Sequence, residues 1–295
     1  MFPPSDKLKK YLGELKPCII CHSKNLESWA KLDYLEAKKC RNCGMISVNP
    51  HLNDEGLSKV YEDYFSHRLD AKELFEKRKI MYEIDRDWIT KFIDHGKVLD
   101  VGSSGGQFLS VFDSNKWEKQ GIEIDKDAAE FAKNEYDIPI KIGYFPEISF
   151  EEKFDLVIIR GVIEHFSDPI SVLKKCAEVI KLNGYLFITA TPVGDSFAFD
   201  VYREKWHLFT PLGHIHFFTV DLLTRILKTF GMSLIDQHYQ YEETPYANPE
   251  KDFAKIKNDI ILISQGKGDQ IKTSPPFSGS MMTAVWQHYR WAHNK

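Results

Sequence analysis

The sequence predicts an α/β fold, a parallel sheet with helices on both faces, behind a small cysteine-bearing N-terminal module. Three observations predict it. From Lys97 onward, short apolar runs alternate with segments of helical period; the first of these runs ends in a glycine turn; and two Cys-x2-Cys pairs stand ahead of the alternation. Strands alternating with helices of this length signal βαβ units, and parallel neighbours need such crossovers.

The lead-in to the sheet is a helix over about Leu74–Asp94, where Met81, Ile84, Trp88, Ile89 and Phe92 recur at helical spacing and Gly96 marks the stop. Val98-Leu99-Asp100-Val101 reads as the first buried strand, and Gln120–Ile124 as the second. Asp125 then caps a helix running through Ala132. Phe154–Ile159 and Tyr185–Ala190 are further buried strands. Between them lies a helix opened by Asp168-Pro169 and stopped by Asn183-Gly184. Pro192–Phe218 is aromatic, His- and Gly-rich and aperiodic, as expected of an insertion over one end of the sheet. Thr219–Phe230 reads as a helix, Met232–His238 and Asp259–Ser264 as strands, and the rest as a tail with a Pro-Pro turn and the aromatics Trp286, Tyr289 and Trp291. The expected domains are a cysteine module and linker (1–60), a helical lead-in (61–96), an α/β domain (97–270) with its insertion at 192–218, and a C-terminal tail (271–295).

The 295 residues leave room for one large α/β domain and a small accessory piece, and 43% apolar with 28% charged residues is ordinary globular composition. A net charge of −4 and a pI near 6.3 argue against a nucleic-acid binder, although residues 1–44 are mildly basic. With no apolar run that suits a secretory leader or a membrane span, a cytoplasmic protein without membrane contact is expected. In that compartment paired cysteines point to metal.

Asp100-Val101-Gly102-Ser103-Ser104-Gly105-Gly106-Gln107-Phe108-Leu109 takes a buried strand through a glycine turn into an apolar helix. Glycines permit positive φ and let a ligand approach the backbone, and the amides at the helix start receive polar ligand atoms. Twenty-one residues after Gly102, at the end of the next strand, Glu123 is placed to accept hydrogen bonds from both hydroxyls of a ribose. A nucleoside-containing cofactor follows. It is not a dinucleotide by this fingerprint, because Ser104 stands where G-x-G-x-x-G needs its second glycine. The plain alternative is a tight turn that binds nothing.

These residues resemble the class I S-adenosylmethionine-dependent methyltransferases, whose first motif, acid-x-Gly-x-x-x-Gly, is met by Asp100, Gly102 and Gly106. Gly121-Ile122-Glu123 is similar to the second motif. Phe154–Val157 with Gly161–Pro169 resembles the fourth strand and its edge, and Leu182–Leu186 the turn into the fifth; the likeness covers about Val98–Ser264. The resemblance implies a Rossmann-like methyltransferase sheet, with Asp100 at the methionine end of the cofactor and Glu123 at the ribose. Ser103, Gly105, Ile124, Arg160 and Glu164 complete the implied cofactor contacts, and S-adenosylhomocysteine is the implied product. One departure touches the adenine: many relatives carry an acid after the third strand, where this chain has Gly143-Tyr144.

Cys18-x2-Cys21 and Cys40-x2-Cys43 are separated by 18 residues, a spacing suited to a closed, structural four-cysteine Zn²⁺ site; a redox dithiol pair is the competing reading. Cys40–Gly44 through Asn49-Pro50, then Tyr61 and Tyr64-Phe65, resembles the zinc-ribbon leader of a methyltransferase subgroup associated with sugars and other small metabolites. Cys176 shares helical spacing with Val172, Leu173 and Ile180 and reads as a buried, inert thiol.

Removing a proton from a hydroxyl acceptor suits histidine near neutral pH. His165 follows the fourth strand; His214 and His216, two apart, would share a face on a strand. The plain readings are that His165 orients its loop and that the other two pack beside Phe217 and Phe218. The expected function is O-methylation of a carbohydrate or other polar small metabolite, such as a sugar or nucleotide sugar. A zinc-ribbon RNA methyltransferase and a non-catalytic cofactor-binding scaffold are the alternatives.

Overall fold

The structure is a computed structural model and describes residues 6–61 and 72–289. The chain forms two compact units, each assembled from three stretches. Met1–Glu62, Pro192–Leu222 and Tyr239–Met282 make one; Asp63–Thr191, Leu223–His238 and Thr283–Lys295 make the other.

The first unit is built on a four-stranded sheet of order β1-β2-β3-β9: β1 (Leu26–Leu32), β2 (Leu35–Cys40), β3 (Ile46–Val48) and β9 (His216–Phe217). All its pairings are antiparallel. Short helices α1 (Asp6–Lys9), α2 (Asp54–Tyr61) and α7 (Phe197–Tyr202) and the longer α9 (Pro249–Ser264) complete it. Leu35, Ala37, Ile46 and Val48 share a core with Phe199, Trp206, Phe209 and Phe217. Phe199 stacks on Trp206 with ring centroids 4.5 Å apart, so the tryptophan is core rather than the wall of an open pocket. Tyr202 Oη donates to Asp259 Oδ2 at 2.7 Å and ties α7 to α9. Asp259–Ser264, expected as a strand, is the last part of α9. Asn248 caps that helix by accepting from the Lys251 amide, with Pro249 at its first position. The cap commits the chain to a helix and overrides the β-branched run Ile260-Ile261, both exposed.

The second unit is a seven-stranded sheet of order β10-β11-β8-β7-β4-β5-β6. Its strands are β4 (Gly96–Val101), β5 (Trp117–Glu123), β6 (Ile140–Ile142), β7 (Phe154–Arg160), β8 (Ile180–Pro192), β10 (Met232–His238) and β11 (Met281–His288). The pairings β4·β5, β4·β7, β5·β6 and β7·β8 are parallel and β10·β11 is antiparallel. Parallel strands are covered on both faces, so the central ones are continuously apolar. Val98, Leu99 and Val101 of β4 and Leu156–Ile159 of β7 are fully buried, each such side chain contributing about 1.5–3 kcal/mol. The helices are α3 (Lys72–Ile89), α4 (Gln107–Ser110), α5 (Lys126–Tyr136), α6 (Pro169–Val179) and α8 (Val220–Thr229). Asp125 caps α5 through the amides of Asp127 and Ala128, and Asp168 caps α6 through Ser171, as their positions predict. Cys176 is buried within α6. This is the α/β fold expected, a mostly parallel sheet flanked by helices.

Three further expectations are corrected. α3 ends at Ile89, not Asp94, and Gly96 opens β4 instead of closing the helix. α6 ends at Val179; Asn183 and Gly184 lie within β8, where a Cβ on Gly184 would stand 2.9 Å from the Asp155 carbonyl oxygen, so that glycine serves strand approach. The expected tail contains β11, an inner strand between β10 and β8. Trp286 in it is fully buried and donates its indole N–H to Thr224 Oγ1 at 3.1 Å. Tyr64, Phe65 and Trp291 lie outside the described residues. Among the described residues no helix is long and apolar enough to cross a membrane.

Candidate functional site

The glycine turn is set by backbone geometry. Gly102 and Gly106 have φ of 73° and 74°, and Ser104 between them has 50°. A Cβ on Gly102 would lie 2.8 Å from both Val162 methyls, so the turn needs glycine for space as well as for φ. The amides of Gly102 and Ser103 both donate to the Ile122 carbonyl, at 2.9 and 3.0 Å, and hold the turn against β5. Ser103 is buried with its hydroxyl toward that carbonyl. It occupies the space a side chain on Gly121 would need: a Cβ there would be 2.4 Å from Ser103 Oγ. The Gly121-Ile122-Glu123 pattern is thus the imprint of Ser103, whose side chain serves the sheet. Gly105 and Gly106 are buried where the turn enters α4.

At the end of β5, Glu123 Oε2 accepts from the Ser104 amide at 2.8 Å, and Oε1 from those of Ile124 and Asp125 at 2.7 and 3.2 Å. Ile124 is 58% exposed, an apolar surface beside that carboxylate. On β4, Asp100 is buried and its Oδ1 has no hydrogen-bond partner. An unsatisfied buried carboxyl oxygen marks a place where a donor is missing. Burial pushes its pKa up to about 8, with Arg160 pulling against that and the like charge of Glu123 adding to it.

Arg160 closes β7 and donates from Nε to Asp85 Oδ2 at 2.8 Å. Glu164, in the short turn Ile163–His165, is buried and accepts from Thr191 Oγ1 at 3.2 Å. Burial raises it to about 8, against hydrogen bonds from its own amide and Thr191 and the charge of Arg160. His165 is half-buried in the same turn, its amide donating to Val162 O at 3.0 Å. After β6, Gly143 (φ 148°) donates its amide to Glu123 O at 2.9 Å, and the Tyr144 and Phe166 rings lie 5.8 Å apart.

The second unit therefore carries Asp100, the glycine turn, Glu123, Arg160, Glu164 and His165, while His214 and His216 belong to the first. The shared-face expectation for the latter pair is corrected: β9 begins at His216, and His214 lies outside it, just after the turn at 211–213. His216 is buried with Nδ1 3.0 Å from Ser47 Oγ. His214 Nδ1 lies 2.8 Å from the Leu208 carbonyl, and burial pushes its pKa down to about 4, keeping it neutral at pH 7. Asp85 was not anticipated. Its one sequence signal is a carboxylate four residues after Met81, inside the apolar stripe of α3.

The four cysteines of the first unit converge, their Sγ atoms all within 4.8 Å of one another, with Cys18–Cys43 and Cys21–Cys40 at 3.5 Å. The two pairs sit in matching turns: His22 N donates to Cys18 O at 2.9 Å and Gly44 N to Cys40 O at 2.8 Å, both donors at positive φ. Burial raises Cys18 and Cys43. It works the same way on Cys40, but the Cys43 and Asn42 amides and the neighbouring thiols outweigh it and bring Cys40 down to about 7. Tetrahedral Zn²⁺ with Zn–S of about 2.3 Å requires sulfur–sulfur edges of about 3.8 Å, so the donor set fits.

A family model described as a methyltransferase domain matches residues 72–237. An uncharacterized protein of Methanocaldococcus jannaschii is 25% identical over 162 residues, 55% of this chain and 76% of that protein. A ubiquinone biosynthesis O-methyltransferase of Proteus mirabilis is 27% identical over 100 residues, 32% of this chain; the chain spans only 41% of that relative's length. In fold, the chain is similar to the magnesium protoporphyrin IX methyltransferase of Synechocystis PCC 6803, solved with bound SAH. The TM-score is 0.53 at 10% identity, covering 78% of this chain and 99% of the other.

Proposed function

As the chain belongs to the methyltransferase-domain family and is a class I S-adenosylmethionine-dependent methyltransferase, we propose that it methylates a hydroxyl oxygen of a carbohydrate or similar polar small metabolite. The observation that carries the cofactor assignment is Glu123, locked by three amides beside the glycine turn. Its carboxylate suits the two hydroxyls of a ribose. Asp100, with a partnerless buried oxygen, suits the ammonium of the amino-acid end. Gly102 and Gly106 leave the backbone approachable, and Ile124 offers an apolar surface to the base. When bound, S-adenosylmethionine supplies an electrophilic methyl group and leaves as S-adenosylhomocysteine.

Positioning supplies much of the acceleration in such a displacement, and the proton of the acceptor hydroxyl needs a destination. His165 is carried on the unit that bears the glycine turn, next to Glu164. We assign it the role of taking that proton. His214, held near 4, is too weak a base at neutral pH, and His216 is engaged with Ser47. Protonated at pH 7, Glu164 is a hydrogen-bond donor toward acceptor or cofactor. The cysteine cluster is read as a structural zinc site of ribbon type, and its thiols imply a reducing, cytoplasmic setting. The relative named as an O-methyltransferase supports the oxygen acceptor; the sugar class rests on the zinc-ribbon resemblance.

The test is calorimetry with S-adenosylmethionine and S-adenosylhomocysteine, then detection of S-adenosylhomocysteine formed with panels of sugars, nucleotide sugars and RNA. Turnover with a sugar panel supports the reading. Turnover confined to RNA, with binding that weakens steeply as salt rises, overturns the acceptor class. Cofactor binding without turnover on any panel overturns catalysis.

A further inference from the structure

The buried face of α3 is not wholly apolar. Met81, Trp88 and Ile89 are buried on it, and among them stands Asp85 with no exposed surface. A carboxylate so placed persists only when paired and hydrogen-bonded. Its Oδ2 accepts from Arg160 Nε at 2.8 Å and its Oδ1 from Thr189 Oγ1 at 3.0 Å. The single hydroxyl proton of Thr189 is used there, so in the 2.6 Å contact between Thr189 and Thr283 it is Thr283 that donates. The guanidinium of Arg160 lies 4.6 Å from the Tyr82 ring centroid and 5.5 Å from that of Phe108. Tyr82 is on α3 and Phe108 on α4, directly after the glycine turn, so one charged side chain joins the lead-in helix, the end of β7 and the turn.

We propose that Asp85 is a positioning residue: it holds the Arg160 guanidinium between Tyr82 and Phe108, beside the two buried carboxyl groups that line the cofactor site. The proposal rests on the cofactor reading for its functional meaning but not for its test. Burial holds Asp100 and Glu164 up to about 8 although Arg160 pulls both down, and the carboxylate of Asp85 on Arg160 Nε opposes that pull. The groups acting on Asp100 are Arg160 and Glu123; those acting on Glu164 are its own amide, Thr191 and Arg160. Removing the charge of Asp85 leaves Arg160 uncompensated, and both carboxyls then ionise at lower pH.

Asp85→Asn isolates that charge. The Asn oxygen still accepts from Arg160 Nε, its amide donates to Thr189, and Thr189 turns to donate to Thr283, so these three hydrogen bonds survive with two reversed. The experiment is a carboxyl-carbon NMR titration of the ligand-free full chain, beside calorimetry with S-adenosylhomocysteine. The proteins are the wild type, Asp85→Asn, Arg160→Gln and the double variant. In Asp85→Asn the Asp100 and Glu164 midpoints are expected to fall by about one pH unit, a tenfold change in acidity. In the Arg160→Gln background the same substitution is expected to leave the midpoints unmoved. Unmoved midpoints in Asp85→Asn, or a shift that persists without Arg160, overturn the proposal. If Asp85→Asn does not fold, Arg160→Lys keeps the charge and loses the Nε bond; weakened binding in the folded variant supports the proposal, and unchanged binding and midpoints overturn it. A wild type that binds no S-adenosylhomocysteine refutes the cofactor reading instead, and the ligand-free titration still decides on Asp85.

Discussion

Glu123 Oε2 accepts the Ser104 amide at 2.8 Å, so the end of β5 and the crest of the glycine turn are clamped before any ligand arrives. Two more amides fix the other oxygen. Such preorganisation spares the ordering cost at binding. Glu123→Ala is expected to weaken S-adenosylhomocysteine binding about tenfold or more, the worth of about 1.4 kcal/mol from a lost charged hydrogen bond. Calorimetry reads it, and affinity equal to the wild type would remove Glu123 from the site.

Gly102 answers to two constraints that a double variant separates. In Gly102→Ala the left-handed φ costs about 1–2 kcal/mol, and the new Cβ meets both methyls of Val162. Urea denaturation is expected to show a larger loss for Gly102→Ala than φ alone explains. Adding Val162→Ala should remove the clash, recover that part of the loss and leave the strain. If the second substitution makes the loss larger, steric contact with Val162 is not the reason for glycine here.

The buried carboxyls give the ligand-free protein a signed pH dependence. Asp100 and Glu164 rise from 3.8 and 4.5 in ordinary surroundings to about 8 in the fold. The folded state therefore holds more protons than the unfolded state between those limits, and their contribution is lost as pH climbs to about 8. His207 and His214 fall from 6.5 to about 4, so their contribution is lost below 6.5 as pH drops. Between pH 6.5 and 8 the carboxyl effect stands apart from the histidines. Thermal denaturation across that window should show Asp100→Asn losing less stability than the wild type. Parallel curves would mean that Asp100 is already ionised.

Glu164→Gln mimics the protonated carboxyl. At pH 7 it is expected to keep wild-type cofactor affinity, and from pH 7 to 9 to flatten the change in affinity that ionisation of Glu164 imposes. Calorimetry at pH 7 and 9 checks this. A variant that loses binding already at pH 7 would show that the charged form is the working one.

Zinc content follows from the convergence of Cys18, Cys21, Cys40 and Cys43. Metal analysis of the purified chain is expected to give one zinc per chain, and Cys21→Ser to lose it together with thermal stability. Four freely titrating thiols in a metal-free, folded wild type would favour the redox-dithiol reading.

Local chemistry made the glycine turn, Glu123, the cysteine pairs and the caps Asp125 and Asp168 legible, because each depends on residues a few positions away. What escaped depends on partners far along the chain. Asp85 is buried because Arg160, 75 residues on, meets it. Met281–His288 read as a tail because nothing nearby announces that β8 and β10 leave a place between them. The isoleucines of α9 suggested a strand until the cap at Asn248 set the helix. Ser103 carried no signal that its hydroxyl turns into the sheet, and Gly121 explains it only once the two are seen together.

After β10 the chain leaves the sheet unit, contributes Tyr239–Met282 to the other, and returns as β11 to an inner place in the sheet. A recombination point anywhere between residues 192 and 282 therefore splits both units at once, and neither can be swapped as a cassette.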